Sequence, residues 1–189
     1  MNQLTLGLIL SLLLSGCSSV LTAARDEPIR DDRGTRTFGS KIDDPLIETK
    51  VEVNIAKADP ALEVDAHVVV VSYNGVVLLA GQVPSAELKE KAEQAARMVQ
   101  RVKTVHNELQ VGPNSALLAR NNDTWITTKI KSKMLAEKDL PSTRIKVISE
   151  NGIVYMMGMV TRQEASKATL VVQSVDGVQK IVKLFEYLN

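Results

Sequence analysis

The stretch Asn74-Gly-Val-Val-Leu-Leu-Ala-Gly-Gln-Val83 recurs 77 residues later as Asn151-Gly-Ile-Val-Tyr-Met-Met-Gly-Met-Val160. Five of the ten positions are identical, and Val76/Ile153 and Leu79/Met156 keep their apolar character. An internal repeat takes precedence over other fold arguments, and a unit found twice at this spacing predicts two similar small domains rather than a solenoid. Asn-Gly between apolar runs is a strong hairpin signal, because both central positions of a type I′ turn need φ > 0. Val68, Val70, Val76 and Leu78 supply the strand pattern around the first Asn-Gly, and Ile145, Val147, Ile153 and Tyr155 supply it around the second.

Helices flank each predicted hairpin. Thr161 and Glu164 form a capping box, followed by Ala165, Ala168, Val172 and Val175 at helical spacing; Leu88, Ala92, Ala96 and Val99 match them in the first copy. Before the hairpins, Ile47, Val51 and Ile55 line one face of a helix beginning at Asp44. Ile126, Ile130 and Met134 line its counterpart from Asp123. Closing strands run from Val105 to Val111 and from Ile181 to Leu188. Each unit is therefore α-β-β-α-β over roughly 70 residues, an α+β fold with two helices on one face of a small sheet. Gly112-Pro113-Asn114-Ser115 marks the boundary between the units.

The composition excludes much chemistry. The 189 residues carry 23 basic and 22 acidic side chains, a net charge of +1. This leaves no basic surplus for binding nucleic acid in general. A single Cys, at position 17, excludes an intrachain disulfide and a Cys-rich zinc site. The two histidines, His67 and His106, fall in predicted strands and read as structural or exposed residues, and Met156, Met157 and Met159 read as sheet and core filling. No phosphate loop, nucleophile elbow or metal-ligand spacing is present, so neither an enzyme nor a cofactor is expected.

The N-terminal run from Leu4 to Leu14 is apolar but, as a helix, only about 16 Å long, short of a roughly 30 Å bilayer core. It fits the apolar region of a secretory signal. With Leu14-Ser15-Gly16-Cys17 it resembles the bacterial lipobox. That resemblance implies acylation of Cys17 and removal of residues 1–16, although Met1-Asn2-Gln3 lacks the usual basic residue. An ordinary secretory signal with an incidental Cys is the alternative. Ser18 and Ser19 follow, with no Asp to mark inner-membrane retention, so the resemblance implies the periplasmic face of the outer membrane. Residues 17–43 then mix five basic and five acidic side chains without apolar periodicity, and read as the acylated Cys and a flexible tether.

The α-β-β-α-β unit resembles the BON domain in its Asn-Gly, its Gly and Val before an Ala-rich helix, and its Val-x-x-Val before the last strand. Two such units behind a lipobox, with Asn122-Asp-Thr-Trp-Ile-Thr-Thr-Lys129 opening the second, resemble the dual-BON outer-membrane lipoproteins of the DolP/YraP type. The resemblance implies a signal over 1–16, a first BON domain over 44–112, a linker over 113–118 and a second BON domain over 119–189. Each domain has two helices on a three-stranded mixed sheet. The resemblance also implies binding of anionic phospholipids (phosphatidylglycerol, cardiolipin), enrichment at division sites and support of outer-membrane integrity. A rival reading is a protein-interaction adaptor for envelope assembly, with the β-barrel assembly machinery as partner.

Comparing the two copies locates a candidate surface. Aligning Lys50 with Lys129 sets Leu46 against Trp125, Glu52 against Lys131 and Asn54 against Lys133; the charge is −1 over residues 44–58 and +2 over 123–138. At about 100° per residue, Trp125 lies roughly 140° from the core direction of its helix. It therefore either meets a membrane, with indole at headgroup depth and lysines at phosphates, or packs on the neighbouring domain or the tether. Each such Lys contributes on the order of 1 kcal/mol at an anionic surface. The candidate phospholipid contacts are Trp125, Thr128, Lys129, Ser132, Lys133, Leu135 and Ala136.

Overall fold

A computed structural model of the chain describes residues 34–113 and 117–188. The first unit runs α1 (Phe38–Ala58), α2 (Pro60–Val64), β1 (His67–Tyr73), β2 (Val76–Val83), α3 (Ala86–Arg97), β3 (Thr104–Asn107) and β4 (Gln110–Val111). The second runs α4 (Leu117–Ala136), a 3-10 turn (Ser142–Arg144), β5 (Ile145–Glu150), β6 (Ile153–Val160), α5 (Arg162–Gln173) and β7 (Lys180–Tyr187). In each, an antiparallel hairpin is extended by a parallel strand: Val70 pairs with Leu79 and Val77 with Val105, and Val147 pairs with Met156 and Val154 with Ile181. The expected α-β-β-α-β order and mixed sheets are present, with one short additional helix, α2, between α1 and β1 of the first unit. The closing strand of the first unit breaks at Glu108 and Leu109 into β3 and β4.

The turns adopt the conformation the sequence requires, with φ of 54° and 78° at Asn74 and Gly75 and of 51° and 73° at Asn151 and Gly152. Thr161 and Glu164 complete their reciprocal capping box at the start of α5. Ile47, Val51 and Ile55 join Leu88, Ala92, Ala96 and Val99 in one core, and Ile126, Ile130 and Met134 join Ala165, Ala168, Val172 and Val175 in another.

Each Asn-Gly turn is also held from behind by a buried aspartate. Asp44 of α1 accepts the N–H groups of Asn74 (2.8 Å) and Gly75 (3.0 Å), and Asp123 of α4 accepts those of Asn151 (2.7 Å) and Gly152 (2.8 Å). Asp44 additionally takes the Ser72 hydroxyl at 2.8 Å and the Arg36 guanidinium at 2.6 Å. Both carboxylates are buried, so neither contributes to the outward charge counted from sequence. Glu48 also turns inward, accepting the Ser72 N–H at 2.8 Å.

Two boundaries differ from those expected. Helix α1 begins at Phe38, inside the segment read as tether, because Thr37 caps it by accepting the Ser40 N–H at 3.1 Å. Asp44-Pro45 reads as a helix start because Pro is favoured in the first turn. Here Pro45 sits inside the helix, which forgoes one backbone hydrogen bond. The preceding turns are tied down by Arg36 to Asp44 and by the Ser40 hydroxyl to Asn74 at 3.1 Å. Helix α4 likewise begins at Leu117, within the expected linker.

The two sheets pack against each other on the faces away from their helices. Val71, Tyr73, Val76, Leu78 and Ala80 meet Ile153, Tyr155 and Met157 in a third apolar core. Alternate residues of β2 and β6 therefore serve different cores, and both strands are apolar on both faces. Polar contacts frame the junction: Tyr73 donates to the Arg144 carbonyl at 2.8 Å, Lys146 Nζ reaches Glu48 at 2.7 Å, and Gln82 donates to Glu150 at 3.1 Å.

Candidate functional site

The outward face of α4 is created by the same periodicity that buries its inner face. Ile126, Ile130 and Met134 are sealed in the core, which turns Trp125 to the surface at 50% exposure. One turn on, the Lys129 ammonium lies 4.4 Å from the centroid of the indole ring. A cation over an aromatic face is attracted by the ring quadrupole, by roughly 0.5–1 kcal/mol at an exposed site. The contact places an apolar plate and a positive charge side by side. The Asp176 carboxylate stands 4.0 Å from Lys129 Nζ and is itself almost wholly exposed, so it screens the lysine without burying it.

The remaining expected residues divide around this pair. Ser132 and Ala136 are exposed and continue the Trp125 side of the helix by one and two further turns. Leu135 is 75% exposed, above a cavity of about 330 Å³ lined by Lys131, Met134, Ser142, Thr143 and Ile145. The Thr128 hydroxyl is spent locally, donating to the Thr124 carbonyl at 2.8 Å. Thr128 also borders a cleft of about 390 Å³ between α4 and β5, where His67 and Glu150 lie. Lys133 turns the other way: its ammonium donates to the Ser174 carbonyl and hydroxyl, both at 2.9 Å, at the C-terminal end of α5. A cation there complements the helix dipole, so Lys133 is held by the fold before any ligand arrives. Cys17 lies outside the described residues.

Sequence reasoning missed the loop after α5. Gly177 packs on Ile126, where a Cβ would stand 3.0 Å from Cδ1, and this brings Ser174 and Asp176 beside the lysines of α4. Its φ of 89° is the left-handed conformation that favours glycine, and Gly177 following the last helical residues is the available signal. Among the described residues no group of three metal-ligating side chains occurs, and no helix is long and apolar enough to cross a membrane. His67 lies 3.5 Å from Glu150 across the domain junction. His106 lies half-buried in β3.

The BON domain matches this chain twice, over residues 43–113 and 122–189, the two halves that share the aspartate-held turn. The chain belongs to the BON-domain family. Among BON proteins it is 37% identical over 189 residues to the outer membrane lipoprotein DolP of Haemophilus influenzae, covering all of this chain and 97% of that one. It is 38% identical over 154 residues to the 21 kDa hemolysin of Actinobacillus pleuropneumoniae, covering 82% of this chain and 79% of the relative. It is 30% identical over 153 residues to the osmotically-inducible protein Y of Escherichia coli, covering 79% and 75%. The first six residues of α1 overlap the first BON match only at Asp43, so most of that extension lies outside it.

Proposed function

We propose that this BON protein is an outer-membrane lipoprotein, anchored through acylated Cys17 on the periplasmic face, whose second domain docks on anionic phospholipid through the outward face of α4. It acts by binding rather than catalysis and supports outer-membrane integrity, including at division sites. The observation that carries the reading is the half-exposed Trp125 with Lys129 stacked on it. Indole prefers headgroup depth, and an ammonium held beside it meets lipid phosphate without further ordering of either side chain. Single contacts of this kind are weak. An acyl anchor on the same chain supplies the effective concentration that makes them sufficient. The full-length relationship to an outer membrane lipoprotein supports the location.

The test is sedimentation of the mature chain, left unacylated, with phosphatidylglycerol vesicles. Trp125→Glu together with Lys129→Glu is expected to weaken binding by at least about tenfold, since it removes a cation and an interfacial indole and adds two anions. Both side chains are at the surface, so the melting temperature should be nearly unchanged. Undiminished binding by the double variant would overturn the assignment.

A further inference from the structure

The closing strand of the second domain, β7, lies at the edge of its sheet, with β6 on one side and no described strand on the other. The Leu188 N–H bonds to the Val160 carbonyl at 2.9 Å. Backbone groups alternate along a strand, so the even-numbered residues of β7 face β6, while Ile181, Lys183, Phe185 and Tyr187 turn their N–H and C=O groups outward. Such a row is a template for a further strand, and folded proteins commonly close it. Two other edges of this protein are closed. On β1, Glu48 accepts the Ser72 N–H at 2.8 Å and Lys146 reaches the Ser72 carbonyl at 3.3 Å. In the first domain the closing strand breaks at Glu108 and Leu109, and the Leu109 N–H turns to the Asn107 side chain at 3.4 Å. Among the described residues, no side chain takes the outward backbone groups of β7.

The side chains of β7 are left half covered on both faces. Ile181 and Phe185 pack on the core under α4 and α5, and Val182 and Leu184 on the core between the sheets. All four are half-buried, whereas Val154, Tyr155 and Met157 beside them on β6 are sealed. A strand added at this edge would extend both cores at once, which requires apolar side chains on both of its faces. Beside the edge, a cavity of about 430 Å³ is lined by Thr169 and Gln173 of α5 and by Gln179, Lys180, Ile181 and Lys183. Lys180 and Lys183 are exposed, and among the described residues neither is paired with a carboxylate. At the far end the Arg162 guanidinium lies 5.0 Å from the centroid of the Tyr187 ring, and the Glu186 carboxylate is held by Asn74 at 3.1 Å. The charge along the edge is therefore positive. Opposite charges across a strand pair are favourable and like charges are not. A second copy pairing edge to edge would bring the lysines of both along one seam, whereas an acidic strand would neutralise them.

We propose that the outer edge of β7 takes an extended segment of a partner polypeptide by strand addition, the segment being apolar opposite Val182, Leu184 and Phe185 and acidic opposite Lys180 and Lys183. The backbone ladder supplies the affinity and the two lysines supply the selection. This surface is separate from the Trp125–Lys129 pair and does not depend on the lipid reading.

The experiment adds peptides as long as β7, eight residues, to the unacylated mature chain. They are valine-rich with two glutamates at one end or at the other, so that either strand direction is served, and each has a counterpart with lysine in place of glutamate. With saturating glutamate peptide, residue-resolved amide hydrogen exchange is expected to slow by at least about tenfold at Ile181, Lys183 and Phe185. It should change little at Val182 and Leu184, whose N–H groups already face β6. Lys180→Glu together with Lys183→Glu should leave the melting temperature nearly unchanged and reverse the preference in favour of the lysine peptides. No slowing at the odd-numbered positions of the parent chain would overturn the proposal, as would equal slowing by glutamate and lysine peptides. Slowing spread evenly over odd and even positions would place the contact elsewhere and overturn it too. Slowing that grows with protein concentration in the absence of peptide would also overturn it, by assigning the edge to a second copy of this chain.

Discussion

Replacing Asp44 by alanine is expected to lower the unfolding free energy by about 3–5 kcal/mol, the cost of leaving several buried donors without their acceptor. The carboxylate gathers the turn N–H groups of Asn74 and Gly75, the Ser72 hydroxyl and the Arg36 guanidinium around one buried position. Burial alone would raise its pKa. The hydrogen bonds from Gly75, Asn74, Ser72 and Arg36 outweigh that and hold it below the ordinary value of 3.8. The native state therefore favours the ionised form. Its contribution is complete above the unfolded value of 3.8 and is lost as pH falls through the lower folded value. Urea unfolding across that range should show an acid-dependent loss in the parent chain that is reduced in Asp44→Ala. Asp44→Asn, which keeps one acceptor oxygen, should cost about half as much. A loss below about 1 kcal/mol in the alanine variant would mean that the turn is held by Asn-Gly alone.

Tyr155→Ala is expected to destabilise both domains, although the residue belongs to the second. Its ring is 1% exposed in the core between the sheets, where burial pushes the phenol pKa up to about 12, with the carboxylates of Glu108 and Glu150 adding to the effect. Truncating a buried aromatic leaves a cavity and costs about 3–5 kcal/mol. Because Val71, Tyr73, Leu78 and Ala80 form the other half of that core, part of the loss falls on the first domain. Amide exchange at Val71 and Leu78 should accelerate together with that at Met156 and Met157, and thermal unfolding should remain a single transition. Unchanged exchange in β1 and β2 would show that the domains are thermodynamically independent.

The parts of the fold legible in the sequence are those set by local chemistry. Asn-Gly specified the turns, helical spacing specified Ile47, Val51 and Ile55 as core, and Thr161 with Glu164 specified a helix start. The sheet-to-sheet junction was signalled less completely. Val76 to Ala80 is apolar at every position, which requires cover on both faces of the strand, but nothing in such a run says what the second cover is. Asp44 and Asp123 occupy the same place in the two repeats, six residues before Lys50 and Lys129. Nothing local in the sequence separates these two carboxylates from the outward charges of the same helices, among which both are counted. Pro45 concealed the first turns of α1 by resembling an N-terminal proline. At the candidate site, the outward direction of Trp125 followed from angular position alone. The diversion of Lys133 to Ser174 did not, because it depends on a loop from another helix.

Residue-resolved amide shift perturbation of the unacylated mature chain, on titration with short-chain phosphatidylglycerol, locates the face of the protein that meets lipid. The largest shifts are expected in α4 between Trp125 and Ala136 and in the adjoining Ser174–Gly177 loop, with phosphatidylcholine producing much smaller ones. Shifts confined to the first domain, or equal responses to the two headgroups at Trp125 and Lys129, would contradict docking through α4.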